Sequence, residues 1–429
     1  MLLTIYKAMM RVSTPLLESY LQRRIARGKE DPARATERRG NPGRARGAGP
    51  LVWFHAASVG ESLSLLALIG RVLENYPLSS VMVTTGTVTS AKLMADRLPA
   101  RAFHQYVPVD HPAWVARFLD HWQPSLVVWS ESEFWPNMLT GIAERKIPAV
   151  LLNARMSETS FKRWQWVSGT ARRILAAFSL CFAQNEAEAH RLTALGADNV
   201  RVSANLKYGA PPLPADAAAL AALKAAAGNR KLLLFASTHP GEEEIAADAH
   251  LALQKRFTDL LTIVVPRHPV RGAEVAEIFK KKGLRAALRS AGAQPAEDQD
   301  IYVADTLGEL GLFYRLCKIA VVGGSFADIG GHNPIEPGQL GCIIVYGPVM
   351  YNFVTISNDF LAAGAAVQVK DANALQEALG LALEHPASFA SHAESARKMT
   401  ADKSRVVDEL MATLKPLLDA SLLRRSPAP

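Results

Sequence analysis

Leu51-Val-Trp-Phe-His55-Ala-Ala-Ser58-Val-Gly-Glu61 is a bulky, partly β-branched run that stops at a small-residue turn and passes into the apolar helical pattern starting at Leu63. Strand, turn and helix in that order form the first half of a crossover between parallel strands. Outward from it, similar short runs recur at 80–84, 104–107, 125–129, 149–152 and 180–183, with helical stretches between. A second series starts at 231–236 and continues through 261–265, 285–288, 301–303, 319–322, 342–345 and 366–369. The break falls at 205–230, where Gly209, Pro211, Pro212 and Pro214 precede an Ala-rich helical stretch. The fold class is therefore α/β, with two Rossmann-like domains expected to face a cleft and to bind ligands at the carboxyl ends of their strands. The halves share a pattern but no internal sequence repeat.

The chain has 429 residues, 49% hydrophobic and 21% charged, which excludes wholesale disorder and a lone binding module. Cys181, Cys317 and Cys342 lie far apart, so neither a disulfide framework nor a local thiolate zinc site is expected, and a reducing compartment fits. Of the net charge of +8, residues 1–49 carry +7, from eleven Lys/Arg against four acids. A nearly neutral body with a basic arm points to an anionic membrane surface, and no nucleic-acid partner is expected.

In that arm Thr4, Lys7, Arg11, Glu18 and Gln22 recur at helical spacing, while Leu3, Ile5, Tyr6, Met9, Met10, Leu16, Leu17, Tyr20 and Leu21 fall mainly on the remaining surface. Pro15 is expected to kink or restart the helix. Charges leave no run of about 20 apolar residues able to span a bilayer. Two readings stay open: an amphipathic helix lying among lipid headgroups, helped by Arg23, Arg24, Arg27 and Lys29, or a helix packed on its own domain. Residues 28–50, rich in Gly, Pro and Arg, read as a loop or linker.

Glu61 opens a helix at a strand's carboxyl end, where a carboxylate can serve as general base; Ser58-x-x-Glu61 is equally a capping box. Ser130-Glu131-Ser-Glu133-Phe-Trp-Pro-Asn137 brings two further acids to the same edge, for acid/base work or simply for helix capping and pairing with Arg. In the second half, Ser237-Thr-His-Pro-Gly-Glu offers backbone N–H groups at a helix start, and Pro266-Arg267-His268-Pro269 is either a phosphate-binding strand end or a rigid turn. Asp305-Thr-Leu-Gly308-Glu309-Leu310 follows, then Gly323-Gly-Ser-Phe-Ala-Asp-Ile-Gly-Gly-His-Asn333-Pro334-Ile335-Glu336. This last loop has neither the P-loop nor the dinucleotide glycine pattern, and its Glu336 suits a ribose diol. No acid is spaced with His or Cys as a metal site requires.

Taken together and in this order, these segments resemble the Kdo (3-deoxy-D-manno-oct-2-ulosonic acid) transferases of lipopolysaccharide assembly, inverting glycosyltransferases of the GT-B fold. The resemblance runs from Gly28-Lys-Glu and Glu37-Arg-Arg-Gly through His55–Glu61, Glu131–Asn137, Asn153-Ala-Arg155 and Asn205-Leu-Lys207 to Pro266-Arg-His268 and Gly331-His-Asn-Pro-Ile-Glu336. It implies transfer of Kdo from CMP-Kdo to the 6′-hydroxyl of a lipid A precursor at the cytoplasmic face of the bacterial inner membrane. It further implies Glu61 as general base, Glu131 and Lys207 as transition-state stabilisers, and Arg267, His268, Gly308, Glu309, Leu310, Asn333, Pro334, Ile335 and Glu336 as the CMP site. No cofactor or metal is expected. The implied division is a membrane-associating arm and linker at 1–49, an acceptor domain at 50–207 and a CMP-Kdo domain at 208–429, whose last helix is free to pack back on the acceptor domain. Three positions depart from the family's wording: Ser132, where Thr is common; Pro240, in place of an acid; and Val349, where His is usual. A sugar-nucleotide epimerase and a non-catalytic membrane-bound nucleotide or lipid binder are the alternatives.

Overall fold

The computed structural model describes residues 2–131, 133–296 and 298–423, so the departure at Ser132 lies outside the described residues. The chain forms two compact units, Met1–Ala210 with Ser404–Pro429, and Pro211–Lys403.

The first unit is built on seven parallel strands: β1 Leu51–His55, β2 Ser80–Thr85, β3 Ala102–Tyr106, β4 Leu126–Ser130, β5 Ala149–Ala154, β6 Leu180–Ala183 and β7 Val200–Val202. Their order is β3-β2-β1-β4-β5-β6-β7, with Leu51 opposite Ser80 and Val52 opposite Leu126. Every residue of β1, β4 and β5 is buried, as in a sheet covered by helices on both faces. Trp53, Met82, Val127 and Trp129 meet Phe118 and Trp122 on one face. Val52, Phe54, Val81 and Val83 meet Leu65, Leu68 and Val72 on the other. The helix Val406–Leu422 joins this second layer because Val407, Leu410, Leu414 and Leu418 recur at helical spacing; Asp419 also accepts a 2.7 Å bond from the Tyr76 hydroxyl. β7 has no counterpart in the sequence reading, since Val-Arg-Val at a half-exposed edge carries too little apolar signal.

Residues 28–50, expected as a loop or linker, are irregular in backbone and pack against the first unit. Glu30, Glu37 and Arg38 are buried. Glu37 pairs with Arg34 at 2.8 Å and accepts from the Tyr106 backbone N–H at 2.7 Å, while Arg38 donates to the Val107 carbonyl and Glu30 pairs with Arg24 at 2.6 Å. Several charges of the basic arm are thus buried as partners of one another and of the end of β3. The arm's helices, Leu2–Val12 and Thr14–Ala26, restart at Pro15 as expected. Leu3 is buried, Tyr6 donates to Asp110 at 3.0 Å and Lys7 to the exposed Glu144 at 2.9 Å, so this side of the helix packs on the rest of its unit. The apolar set divides: Leu2, Ile5, Met9, Val12, Leu16 and Tyr20 are exposed, Val12 at 82% and Leu16 at 74%. No helix among the described residues is long and apolar enough to cross a membrane.

The second unit repeats the plan with β8 Lys231–Thr238, β9 Leu260–Pro266, β10 Ala286–Leu288, β11 Ile301–Val303, β12 Ile319–Val322, β13 Ile343–Tyr346 and β14 Val367–Gln368. The parallel order is β10-β11-β9-β8-β12-β13-β14. Strand order reverses between β1 and β4 in one sheet and between β8 and β12 in the other. Such switch points open a crevice at the strands' carboxyl ends, and the sequence motifs follow those very strands.

Candidate functional site

At the first switch point Ser58 caps the helix Val59–Asn75 and accepts from the Glu61 backbone N–H. The Glu61 carboxylate returns the interaction, accepting from Ser58 Oγ at 2.7 Å and from the Ala57 N–H at 2.8 Å. The capping box is therefore real, and it aims a buried carboxylate at the strand ends.

Glu131 leaves β4 with φ of 60°, and Asn153 ends β5 with φ of 53°. Two non-glycine residues in the left-handed region, side by side at a strand edge, mark strain held where chemistry would occur. Asn153 Nδ2 reaches Glu131 Oε1 at 3.4 Å, and its Oδ1 accepts from the Leu206 N–H at 3.2 Å. That second bond anchors the turn Leu206–Gly209, whose start Asn205 caps by accepting from the Lys207 N–H at 3.0 Å. Burial and the neighbouring Glu61 charge push the Glu131 carboxyl up to about 6, while Lys207, Arg155 and the Asn153 bond pull it back. Glu61, Glu131 and Lys207 thus converge, and Arg155 and Asn153 join them from the exit of β5.

Beside them, burial pushes His55 down to about 3, so the imidazole is neutral and the 4.0 Å approach of Glu133 is not an ion pair. His55 instead bonds Thr84 Oγ1 at 2.9 Å and lies 4.0 Å from the Trp129 ring. The following helix, Pro136–Glu144, is capped from elsewhere: Asp110 accepts from the Asn137 and Met138 N–H groups at 3.0 and 2.8 Å.

At the second switch point, Glu242 accepts from the His239 N–H at 3.0 Å, the Gly324 N–H at 2.7 Å and the Phe326 N–H at 3.0 Å, tying the turn after β8 to the glycine loop after β12. Gly323 is required there, because a Cβ would stand 2.3 Å from the Ser237 carbonyl oxygen. His239 and His332 share a 2.8 Å Nε2–Nε2 hydrogen bond, so that bond holds one proton between stacked rings. Asn333 accepts from the Ile335 N–H at 3.2 Å and donates to Glu336 at 3.3 Å. Burial pushes the Glu336 carboxyl up to about 7, against the Asn333 bond and the Arg267 charge. Arg267, His268, Asn333, Pro334, Ile335 and Glu336 therefore lie at one edge. Gly308 (φ 81°), Glu309 and Leu310 follow β11 at that same edge. Glu309 is committed to Arg289 at 2.6 Å and to Thr306, so this segment offers backbone rather than a free carboxylate. Pro240 lies in the turn before the Glu242 helix and Val349 follows β13.

His239, His332 and Arg155 entered no site assignment from sequence. A motif position after a strand was the available signal for all three. Among the described residues no three His, Cys, Asp or Glu side chains group as a metal site.

The family described as 3-deoxy-D-manno-octulosonic-acid transferase (kdotransferase) matches residues 33–210. The 3-deoxy-D-manno-octulosonic acid transferase of Rickettsia felis is 34% identical over 86% of this chain and 79% of its own length. That of Haemophilus influenzae is 30% identical over 97% of this chain and 99% of its own. Among solved structures, a UDP-N-acetylglucosamine 2-epimerase of Neisseria meningitidis superposes with a TM-score of 0.55 at 13% identity over 85% of this chain and 100% of that one, a likeness of fold alone.

Proposed function

The chain belongs to the 3-deoxy-D-manno-octulosonic acid transferase family, and from that premise we propose that it moves Kdo from CMP-Kdo to the 6′-hydroxyl of a lipid A precursor, inverting the anomeric carbon. The observation that carries the reading is the cluster of Glu61, Glu131 and Lys207 at the switch point of the first sheet.

Glu61 is the base. Its two hydrogen bonds fix the carboxylate while each oxygen keeps a lone pair, so it can take the proton of the acceptor hydroxyl as that oxygen attacks the anomeric carbon. The bond from that carbon to the CMP phosphate oxygen breaks, and CMP leaves with the electron pair. Glu131 and Lys207 steady the charge that develops in between. Arg267 and the backbone N–H groups after β11 and β12 suit the leaving phosphate, and Glu336 suits the ribose diol. A single leaving phosphate can be neutralised by such groups, so the reaction is proposed to need no metal or cofactor. The exposed apolar face of the first two helices, with the basic residues around it, fits attachment to anionic lipid at the cytoplasmic face of the inner membrane.

The test is transfer from CMP-Kdo to a tetraacyl lipid A precursor with chelator present, read by mass spectrometry. Mass gains in Kdo units that vanish in Glu61→Gln support the reading. An unchanged lipid overturns it, and conversion of a nucleotide sugar without any acceptor would point to an epimerase instead.

A further inference from the structure

The turn after β8 and the glycine loop after β12 flank the switch point of the second sheet, and two imidazoles bridge them there. His239 stands in the turn and His332 in the loop; their rings stack at 5.1 Å with planes 7° apart, and their Nε2 atoms meet at 2.8 Å. The backbone does not need this bridge. Glu242 already ties the two segments by accepting from the His239 and Gly324 N–H groups, and the His332 N–H donates to the Gly323 carbonyl at 3.1 Å. An Nε2–Nε2 hydrogen bond takes one proton and one lone pair. One ring is therefore the Nε2–H tautomer with a bare Nδ1, and its partner carries its own proton on Nδ1. Neither Nδ1 has a partner among the described residues.

The pair faces cations. His268 stands edge-on to His239 at 6.0 Å, and Arg267 beside it is exposed, its guanidinium without a partner among the described residues. Of the nearby acids, Glu243 is held by Arg271 at 2.8 Å and by the Thr238 hydroxyl at 2.9 Å, and Glu242 accepts from three backbone N–H groups. Glu336, which Asn333 bonds, acts on the Arg267 charge.

We propose that the His239–His332 pair takes up one proton from solvent when a phosphate anion seats against Arg267, and keeps it as an imidazolium hydrogen-bonded to a neutral imidazole. The proposal rests on the transferase reading above, in which that anion is the phosphate of CMP. The proton enters at the bare Nδ1 of the Nε2–H ring, and the bond between the rings survives with its donor now charged. A second proton has no place, since two Nε2–H groups would then face each other. When the bond from the anomeric carbon to the phosphate oxygen breaks, CMP gains one negative charge over the diester, and a cation held there offsets it. In the free protein the rings are neutral. Burial, His239, Arg267 and His268 push His332 down to about 4, and burial with His268, Arg267 and Arg271, against Glu243, lowers His239. A phosphate within hydrogen-bond reach reverses that balance.

The experiment is calorimetry of CMP binding to the full chain at pH 7 in buffers of different ionisation enthalpy, which counts the protons exchanged, with cytidine as the ligand lacking the phosphate. Wild type should take up about half a proton or more per CMP beyond the cytidine value. His239→Gln and His332→Gln should bind CMP with that uptake reduced about fivefold or more. Nitrogen-15 imidazole spectra of histidine-labelled wild type, which need no substitution, should show a ring becoming imidazolium on addition of CMP but not of cytidine.

Uptake unchanged in both variants, uptake equal for CMP and cytidine, or spectra in which CMP protonates no ring would overturn the proposal. So would uptake that survives in both variants and is lost in His268→Gln, which places the proton on His268. Those outcomes leave the transferase reading standing. A wild type that binds no CMP overturns that reading, and this proposal with it.

Discussion

Both oxygens of Glu61 are engaged by the turn before its helix, so the cap and the proposed base reside in one side chain. Glu61→Gln separates the roles, because an amide oxygen can still accept one of those bonds but cannot take a proton. Transfer should fall by about a hundredfold or more while stability changes by about 1 kcal/mol or less, checked by mass spectrometry and thermal denaturation. Glu336 offers a second test, through pH. Its carboxyl, raised to about 7 by burial, keeps a proton in the folded state that the unfolded chain releases near the ordinary carboxylate value. The folded state therefore binds more protons between those values, and stability falls as pH rises through the window. Glu336→Gln should raise the melting temperature at pH 8 and leave it nearly unchanged at pH 4, below the unfolded value, while weakening CMP binding in calorimetry. Glu61 and Glu131 were legible because each follows a strand at a turn. Asn153 gained its meaning only from a left-handed backbone, which depends on residues distant in sequence.

The helix Val406–Leu422 and the stretch 28–50 show how elements are read and misread. The helix announces its buried stripe through Val407, Leu410, Leu414 and Leu418, and Leu414→Ala should cost about 2–5 kcal/mol, seen as a lower urea midpoint. Residues 28–50 are rich in glycine, proline and arginine, a composition shared by linkers and by irregular segments packed through side-chain pairing. What decides between them is the partner: Glu30 for Arg24 and Arg38, the Val107 carbonyl for Arg38. Removing Glu30 strands a buried guanidinium, so Glu30→Ala should cost about 3–5 kcal/mol, far more than a linker substitution would. Of the fourteen strands among the described residues thirteen fall within apolar runs of the sequence, the central ones because parallel strands are buried on both faces; β7 does not, because Arg201 interrupts a three-residue, exposed edge strand.

For the molecule as a whole, two α/β sheets were readable from the alternation of patterns, whereas the face that the first helices leave exposed was not, since periodicity cannot tell which apolar side chains a neighbour will cover. Ile5→Ser/Val12→Ser/Leu16→Ser should weaken co-sedimentation with phosphatidylglycerol vesicles without lowering the melting temperature, and added salt should weaken the wild type as well. The division of the chain has a further consequence. The first unit is closed by residues that follow the whole second unit, so its sheet lacks the cover of Leu410, Leu414 and Leu418 until they are made. At ordinary elongation rates, the ribosome needs on the order of 10–40 s to deliver the intervening stretch, and through that delay the nascent first half carries an open apolar layer. The second unit, continuous in the chain, can finish first. Nascent chains stalled at residue 403 should therefore yield a protease-resistant core from 211–403 and a digestible 2–210, and birth order on the ribosome would be the reverse of order in the sequence.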